Sequence, residues 1–238
     1  MGKMFLQDSN LNLYGWLDGF TATLIVMFGA VFSLIVLYKA RKMNAKLLFY
    51  GSFVGLFGSL LWLGPCVDFF SVIATGKNLS PIGLNGILSY MWVAPAIIFG
   101  LYLGAELMLP EKKKIILVIY GVLSVIFELF LFLDTINAFK FEIVGGAVDT
   151  SFEYGHPTFI LVLVFLLSVF IFVGLGSLRQ VAKTTGVVRK KFIFMATASI
   201  LFVIVGACDA LLTPGPILFI IRMGMIVIAF MLYFALKP

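Results

Sequence analysis

The chain has 238 residues, 62% of them hydrophobic and 12% charged, with a formal net charge of +6. Soluble domains are nearer half apolar and a quarter charged, so a water-soluble fold is excluded, and a mean hydropathy of +1.15 excludes a disordered chain as well. The composition is that of an integral membrane protein.

A helix crosses about 30 Å of hydrocarbon with about 20 residues. Apolar stretches between charged breaks predict seven such spans, at residues 16–38, 47–74, 84–109, 115–137, 158–178, 192–212 and 216–236. A transmembrane barrel would instead alternate in strands of about ten residues. No loop is long enough to fold separately. The expected fold is one all-α domain over residues 1–238, a polytopic seven-transmembrane-helix bundle.

Ahead of the first span, the opening residues lack an apolar core followed by a small-residue cleavage site, so no cleavable signal is expected. Met1-Gly2 is followed by Leu6 where myristoylation requires Ser or Thr. Between spans one and two lie Lys39, Arg41, Lys42 and Lys46; between three and four, Lys112, Lys113 and Lys114. Arg179, Lys183, Arg189, Lys190 and Lys191 separate five from six, and Lys237 follows seven. The opposite ends hold Lys3, Lys77 and Lys140 against Asp8, Asp18, Asp68, Asp134, Glu142, Asp149, Glu153 and Asp209. The basic side belongs in the cytoplasm, which predicts a multi-pass cell-membrane protein with its N-terminus outside and its C-terminus inside. The positive charge is thus a topology signal matched to anionic inner-leaflet lipid, and no nucleic-acid partner is expected.

The second span contains Gly51, Gly55 and Gly58, and the third Gly100 and Gly104; such small residues let helix backbones approach, within the bundle or between copies in a homo-oligomer. Gly64-Pro65 is expected to bend the second span. Pro95 removes a backbone hydrogen bond in the third and is expected to act as a hinge. Asn78-Leu-Ser80 is a glycosylation sequon in an outer loop, ahead of Pro81. Between spans four and five, Phe141, Ile143, Phe152 and Tyr154 flank Gly145-Gly146, which suggests either a short hairpin over the outer mouth or an irregular loop held by its aromatics. His156 is read as a solvated loop histidine. Cys66 and Cys208 both fall near outer helix ends, which makes a disulfide conceivable.

The segments Gly64-Pro65-Cys66-Val67-Asp68 and Gly206-Ala207-Cys208-Asp209 close the second and sixth spans alike, and the helices after them also align. That suggests a three-one-three arrangement of parallel triplets, with convergent helix ends as the alternative.

Ionisable groups inside hydrocarbon are costly and mark functional sites. At 1.5 Å per residue from each inner end, Arg222 lies about 22 Å up, Glu128 about 21 Å, Asp209 about 27 Å and Asp68 about 33 Å. Polarity therefore gathers in the outer half. Arg222 stays charged in any environment and needs an anionic partner, with Asp209 first, Glu128 second and Asp68 third. It either forms a buried pair that specifies helix register, or binds an anionic ligand or polarises a proton or ion path. Tyr90 and Trp92 belong to the interfacial aromatic belt or line a pocket with Arg222. No His or Cys cluster suits haem or zinc, and no phosphate loop or nucleophile elbow appears. Neither a cofactor, a metal nor an enzymatic activity is expected.

Seven helices in this length, running from outside to inside with short loops, resemble uncharacterised archaeal seven-helix membrane proteins, and the overall plan is similar to the microbial rhodopsins. Those attach retinal to a lysine midway along the last helix, where this sequence has Arg222. The three-one-three arrangement resembles the SWEET transporters without their Pro-Gln signature. The size and orientation resemble the input modules of sensor histidine kinases. The one-sided placement of charge within the membrane, with no output domain in the sequence, predicts a receptor-like or sensor-like protein with an outward-facing polar pocket around Arg222, Asp209, Asp68, Glu128, Trp92 and Tyr90. Its signalling partner, cytoplasmic or in the membrane, would dock on the basic inner loops. The alternatives are a small-solute or ion transporter built from parallel repeats, and a structural or assembly protein.

Overall fold

The structure is a computed structural model that describes residues 10–237. Lys3, Asp8 and the Met1-Gly2 start lie outside the described residues. The described residues are all-α apart from one hairpin. In order, they form α1 (Leu13–Lys42), α2 (Lys46–Leu60), α3 (Leu63–Thr75), α4 (Gly83–Tyr90), α5 (Val93–Met108), α6 (Lys113–Leu133) and the short α7 (Thr135–Ala138). The strands β1 (Phe139–Val144) and β2 (Ala147–Phe152) follow, then α8 (Pro157–Ser168), α9 (Gly176–Val181), α10 (Gly186–Asp209) and α11 (Pro216–Leu236).

Among the described residues, six helical stretches are long and apolar enough to cross a membrane: α1, α4 with α5, α6, α8 through α9, α10 and α11. The second span, expected to bend at Gly64-Pro65, is two helices, α2 and α3, bent by 44° with the break at Leu61-Trp62, and this pair would make seven. The reason for the bend is local. Proline has no N–H for the carbonyl four residues back, so Pro65 leaves that of Leu61 unclaimed, and α2 ends at Leu60. Pro95 does the same to Met91, and α4 ends at Tyr90. Each proline sits three residues after a tryptophan, Trp62 or Trp92, that occupies the break. The helix break that accompanies Pro95 therefore falls one turn earlier, at Met91-Trp92. In the fifth span the break is a π-helical segment, Val169–Leu175. Such segments are rare and concentrate at functional sites. This one is seated against Gly104 of α5, where a Cβ would come within 2.7 Å of the Phe172 carbonyl carbon.

The outward faces are those of a lipid-exposed bundle. Along α6, Val118, Val122, Val125, Leu129 and Leu133 are all exposed, Leu133 to 81%. Bilayer contact is the physical home for such a face, because water would penalise every one of these side chains. Inside, one core cluster gathers Ile97, Leu101, Phe127, Phe139, Phe152 and Phe165, and a second gathers Ile25, Trp62, Met225 and Ile228.

The hairpin forms around Gly145-Gly146, whose φ angles of 64° and 88° are both in the left-handed region. Positive φ at both loop positions is the requirement of a type I′ turn, and Val144 pairs with Ala147 across it. Three helices clamp this hairpin. The Asn12 N–H, at the start of α1, donates to the Gly145 carbonyl at 3.0 Å. Asp68 of α3 accepts the Val148 N–H at 2.8 Å, and Asn85 of α4 accepts from the Thr150 hydroxyl at 3.1 Å. The hairpin thus roofs one end of the bundle. The opposite end carries the basic groups. There Lys191 donates to the Lys237 carbonyl, and Arg179 and Gln180 donate to the last carbonyls of α5.

Candidate functional site

Beneath the hairpin, Arg222 is held on α11, six residues inside its start, with a side chain only 6% exposed. Its Nε donates to Asp209 Oδ1 at 2.7 Å and its Nη1 to Asp18 Oδ1 at 2.6 Å. Nη1 also reaches the Asp18 carbonyl at 3.3 Å. A planar guanidinium can serve two carboxylates at fixed angles in a way that an ammonium cannot. The three residues come from α1, the end of α10 and the start of α11, so this cluster ties the first span to the last two. Asp18 was read from sequence only as one of the outer acids. Its signal was weak, because it lies near the start of a span, where acidic residues are ordinary.

The remaining candidates are placed differently. Asp68 forms no ion pair with Arg222. It is fully buried and accepts hydrogen bonds from Leu79 N–H at 2.8 Å, Val148 N–H at 2.8 Å and Asn78 Nδ2 at 3.1 Å. Asn78 donates also to the Gly146 carbonyl at 2.9 Å, so the sequon's amide nitrogen is committed to the hairpin roof. Glu128 is not brought to Arg222 despite its matching depth. It stands on α6, lines neither cavity described below, and both its carboxyl oxygens are buried without a partner among the described residues. Trp92 is stacked on Phe57 at 5.9 Å with its Nε1 unpartnered among those residues, and it does not face Arg222. Tyr90 does reach the site, stacked on Phe139 at 5.0 Å.

Two cavities adjoin the Arg222 cluster. The first, about 40 Å³, is polar and is lined by Asp18, Asn85, Asp149, Thr150, Asp209 and Arg222 among others. A water needs roughly 10–15 Å³ of such space. The second, about 200 Å³, is apolar and extends from Asp209 and Tyr90 past Phe32 and Val173 to Tyr233 and Leu236 near the basic end. Leu61, Trp62, Tyr90 and Asp209 border both. Glycines make the larger one: Gly29, Gly55, Gly58, Gly100 and Gly206 all line it, and a Cβ built at Gly58 would meet nothing within 4 Å. The small-residue stripe therefore acts partly as close packing, with Gly51 against Leu236, and partly as the wall of a void.

Asp149 on β2 lies within the field of this cluster. Burial first, and then the charge of Asp18, push its carboxyl up to about 6. The folded state thus keeps this proton to higher pH than the unfolded chain does. Its contribution to stability declines as pH rises from about 4 through about 6 and is level above that. The wild-type melting temperature is expected to fall across that window relative to Asp149→Asn. Parallel profiles for the two chains would mean a solvated carboxylate.

At the far end of the hairpin, His156 is a capping residue rather than a solvated one. Its Nδ1 accepts the Thr158 N–H at 3.3 Å to start α8, and its Nε2 meets Asp134 Oδ2 at 3.2 Å. That contact, with a second from Asn137, holds the Asp134 carboxyl below the usual carboxylate range. Cys66 and Cys208 are free thiols, and Cys66 Sγ faces the Thr23 hydroxyl at 3.6 Å. No protein-family model matches the chain, and no curated protein is detectably similar to it.

Proposed function

We propose that this chain is a seven-helix receptor-like or sensor-like membrane protein, not an enzyme, that encloses an elongated ligand between its helices. The bent α2–α3 pair counts as one span in this reading. The hairpin end faces outside, and the basic end faces the cytoplasm, where a signalling partner docks. One observation carries the reading: a glycine-walled apolar cavity of about 200 Å³ leads from a charged, hairpin-roofed compartment into the bundle. Left empty, a void of that size costs on the order of 5 kcal/mol at about 24 cal/mol per Å³. Membrane helices associate by packing rather than by a hydrophobic drive, so an occupant that fills the void offsets that loss. The break at Leu61-Trp62 lines the same space, as do Tyr90 and Val93 on either side of the break at Met91-Trp92, and both breaks supply elements that can rearrange when it fills.

The apolar lining favours a receptor over an ion or small-solute transporter. Asp209 is the single charged residue among those lining the larger cavity, and below it the polar groups are Ser33, Ser59, Ser199 and Tyr233. An ion path would need polar groups at closer intervals.

Gly58→Leu tests the reading, since Gly58 lines the cavity and a Cβ there meets nothing within 4 Å, so the added side chain occupies the space a ligand would take. The chain purified in native-lipid nanodiscs is expected to carry a stoichiometric small molecule by mass spectrometry, and the Gly58→Leu chain to lack it. If neither retains one and Gly58→Leu merely melts at higher temperature, the cavity is a packing defect. Solute uptake into proteoliposomes that Gly58→Leu abolishes would make the protein a transporter instead.

A further inference from the structure

We propose that the occupant is an amphiphile whose head is an ammonium next to a hydrogen-bond acceptor such as a hydroxyl, in the manner of a long-chain amino alcohol. The head sits beside Asp149 and Asn85, and the tail runs down the apolar cavity. This rests on the ligand-binding reading above and names the chemistry of that same site.

The charge balance selects the head. Three carboxylates, Asp18, Asp149 and Asp209, line the polar compartment against one guanidinium, Arg222. Arg222 is already engaged with Asp18 and Asp209. Asp149 forms no ion pair or side-chain hydrogen bond among the described residues. An anionic head would add a fourth negative group to this space, whereas a cation supplies the charge that is missing. Trp62 and Tyr90 border the junction of the two cavities, and aromatic faces attract ammonium groups within about 6 Å.

Asn85 points to the acceptor independently. It is 0% exposed and lines the polar compartment. Its Oδ1 accepts from Thr150, but its Nδ2 has no partner among the described residues. Buried donors are almost always satisfied, and Asn85 lines a space in which an occupant's oxygen would satisfy this one. The tail length follows from the volume. A dry cavity of about 150 Å³ takes a six-carbon ring, so about 200 Å³ takes roughly eight carbons.

The test is a titration of the full chain in phosphatidylcholine nanodiscs with four eight-carbon probes: 2-amino-1-octanol, octylamine, 1-octanol and octanoate. Partition into lipid is subtracted with empty discs and with the Gly58→Leu chain. The amino alcohol is expected to bind saturably at one per chain, about tenfold more tightly than octanol, and octanoate not at all. Asp149→Asn, at a residue with no hydrogen bond to lose, is expected to weaken both amines about tenfold and leave octanol unchanged. Asn85→Ala is expected to erase the advantage of the amino alcohol over octylamine. If octanol or octanoate binds as tightly as the amines, the head assignment is overturned while the cavity still binds ligands. If none of the four binds above the Gly58→Leu background, the ligand-binding reading falls with it.

Discussion

Arg222→Met is expected to destabilise the folded chain by roughly 3–5 kcal/mol, the usual cost of removing one partner from a buried ion pair. The substitution keeps the length and apolar stem of the side chain, so the loss is electrostatic rather than a cavity effect. It leaves Asp18 and Asp209, which Arg222 meets at 2.6 and 2.7 Å, facing one another without a cation. Unfolding monitored in nanodiscs reads the change. The triple substitution Arg222→Met, Asp18→Asn, Asp209→Asn is expected to recover most of it, because a neutral cluster has no charge left unpaired. Arg222→Lys is expected to fall between, since one ammonium cannot span both carboxylates in the guanidinium's fork. A single variant as stable as the wild type would mean that bulk water reaches the cluster.

Asp68→Ala is the second large effect, roughly 3 kcal/mol, and acts through the roof. It removes the acceptor for two backbone N–H groups, Leu79 and Val148, and for Asn78 Nδ2. The Val148 amide is buried, and leaving such a donor unmade costs about 1–3 kcal/mol, with smaller losses at the two part-buried partners. The hairpin then keeps its ties to Asn12, Asn78 and Asn85 but loses the one to α3. Faster hydrogen exchange at Val148 and faster protease cleavage at Gly145-Gly146 are the expected local signs. Asp68→Asn, which keeps one acceptor oxygen, is expected to lose less. Unchanged exchange at Val148 in Asp68→Ala would show that the roof is held by its other contacts, to Asn12, Asn78 and Asn85.

Much of the fold is legible along the chain. The final span matches its helix, Pro216–Leu236, residue for residue. The two-glycine turn with flanking aromatics admits a hairpin or an irregular loop, and the hairpin forms because positive φ at both loop positions is a local requirement that Gly145 and Gly146 meet. Other elements depart from the sequence reading for local reasons that are just as plain. The second span bends as Gly64-Pro65 leads one to expect, but α2 already stops at Leu60 because the unclaimed carbonyl lies four residues ahead of Pro65, and Trp62-Leu63-Gly64-Pro65 and Trp92-Val93-Ala94-Pro95 share this pattern. The π-helical segment at Val169–Leu175 has no comparable signal, since its residues are ordinary for an apolar helix.

The site divides along the same line. Depth along a helix made Arg222 conspicuous and placed Asp209 within reach, because both lie beside one short turn. Depth also favoured Glu128, which is on a helix that does not face Arg222. Height above the inner end says nothing about which way a helix is turned. Asp18, Asn85 and Asp149 were missed as members of the cluster, since each is unremarkable in its own segment and they lie on α1, α4 and β2.

The sequence by itself determined the solvent, the approximate spans and the sorting of basic groups to one end. These follow from hydropathy and charge summed over neighbouring residues, so no partner helix is needed to read them. Only the tertiary structure decided that the roof clamps onto three helices, that Arg222 shares two carboxylates, and that five glycines from four helices wall one cavity. Those outcomes depend on which faces of distant segments meet. In a bilayer that is set by close packing of small side chains and by a few polar contacts, and neither leaves a periodic trace in a chain that is apolar nearly everywhere.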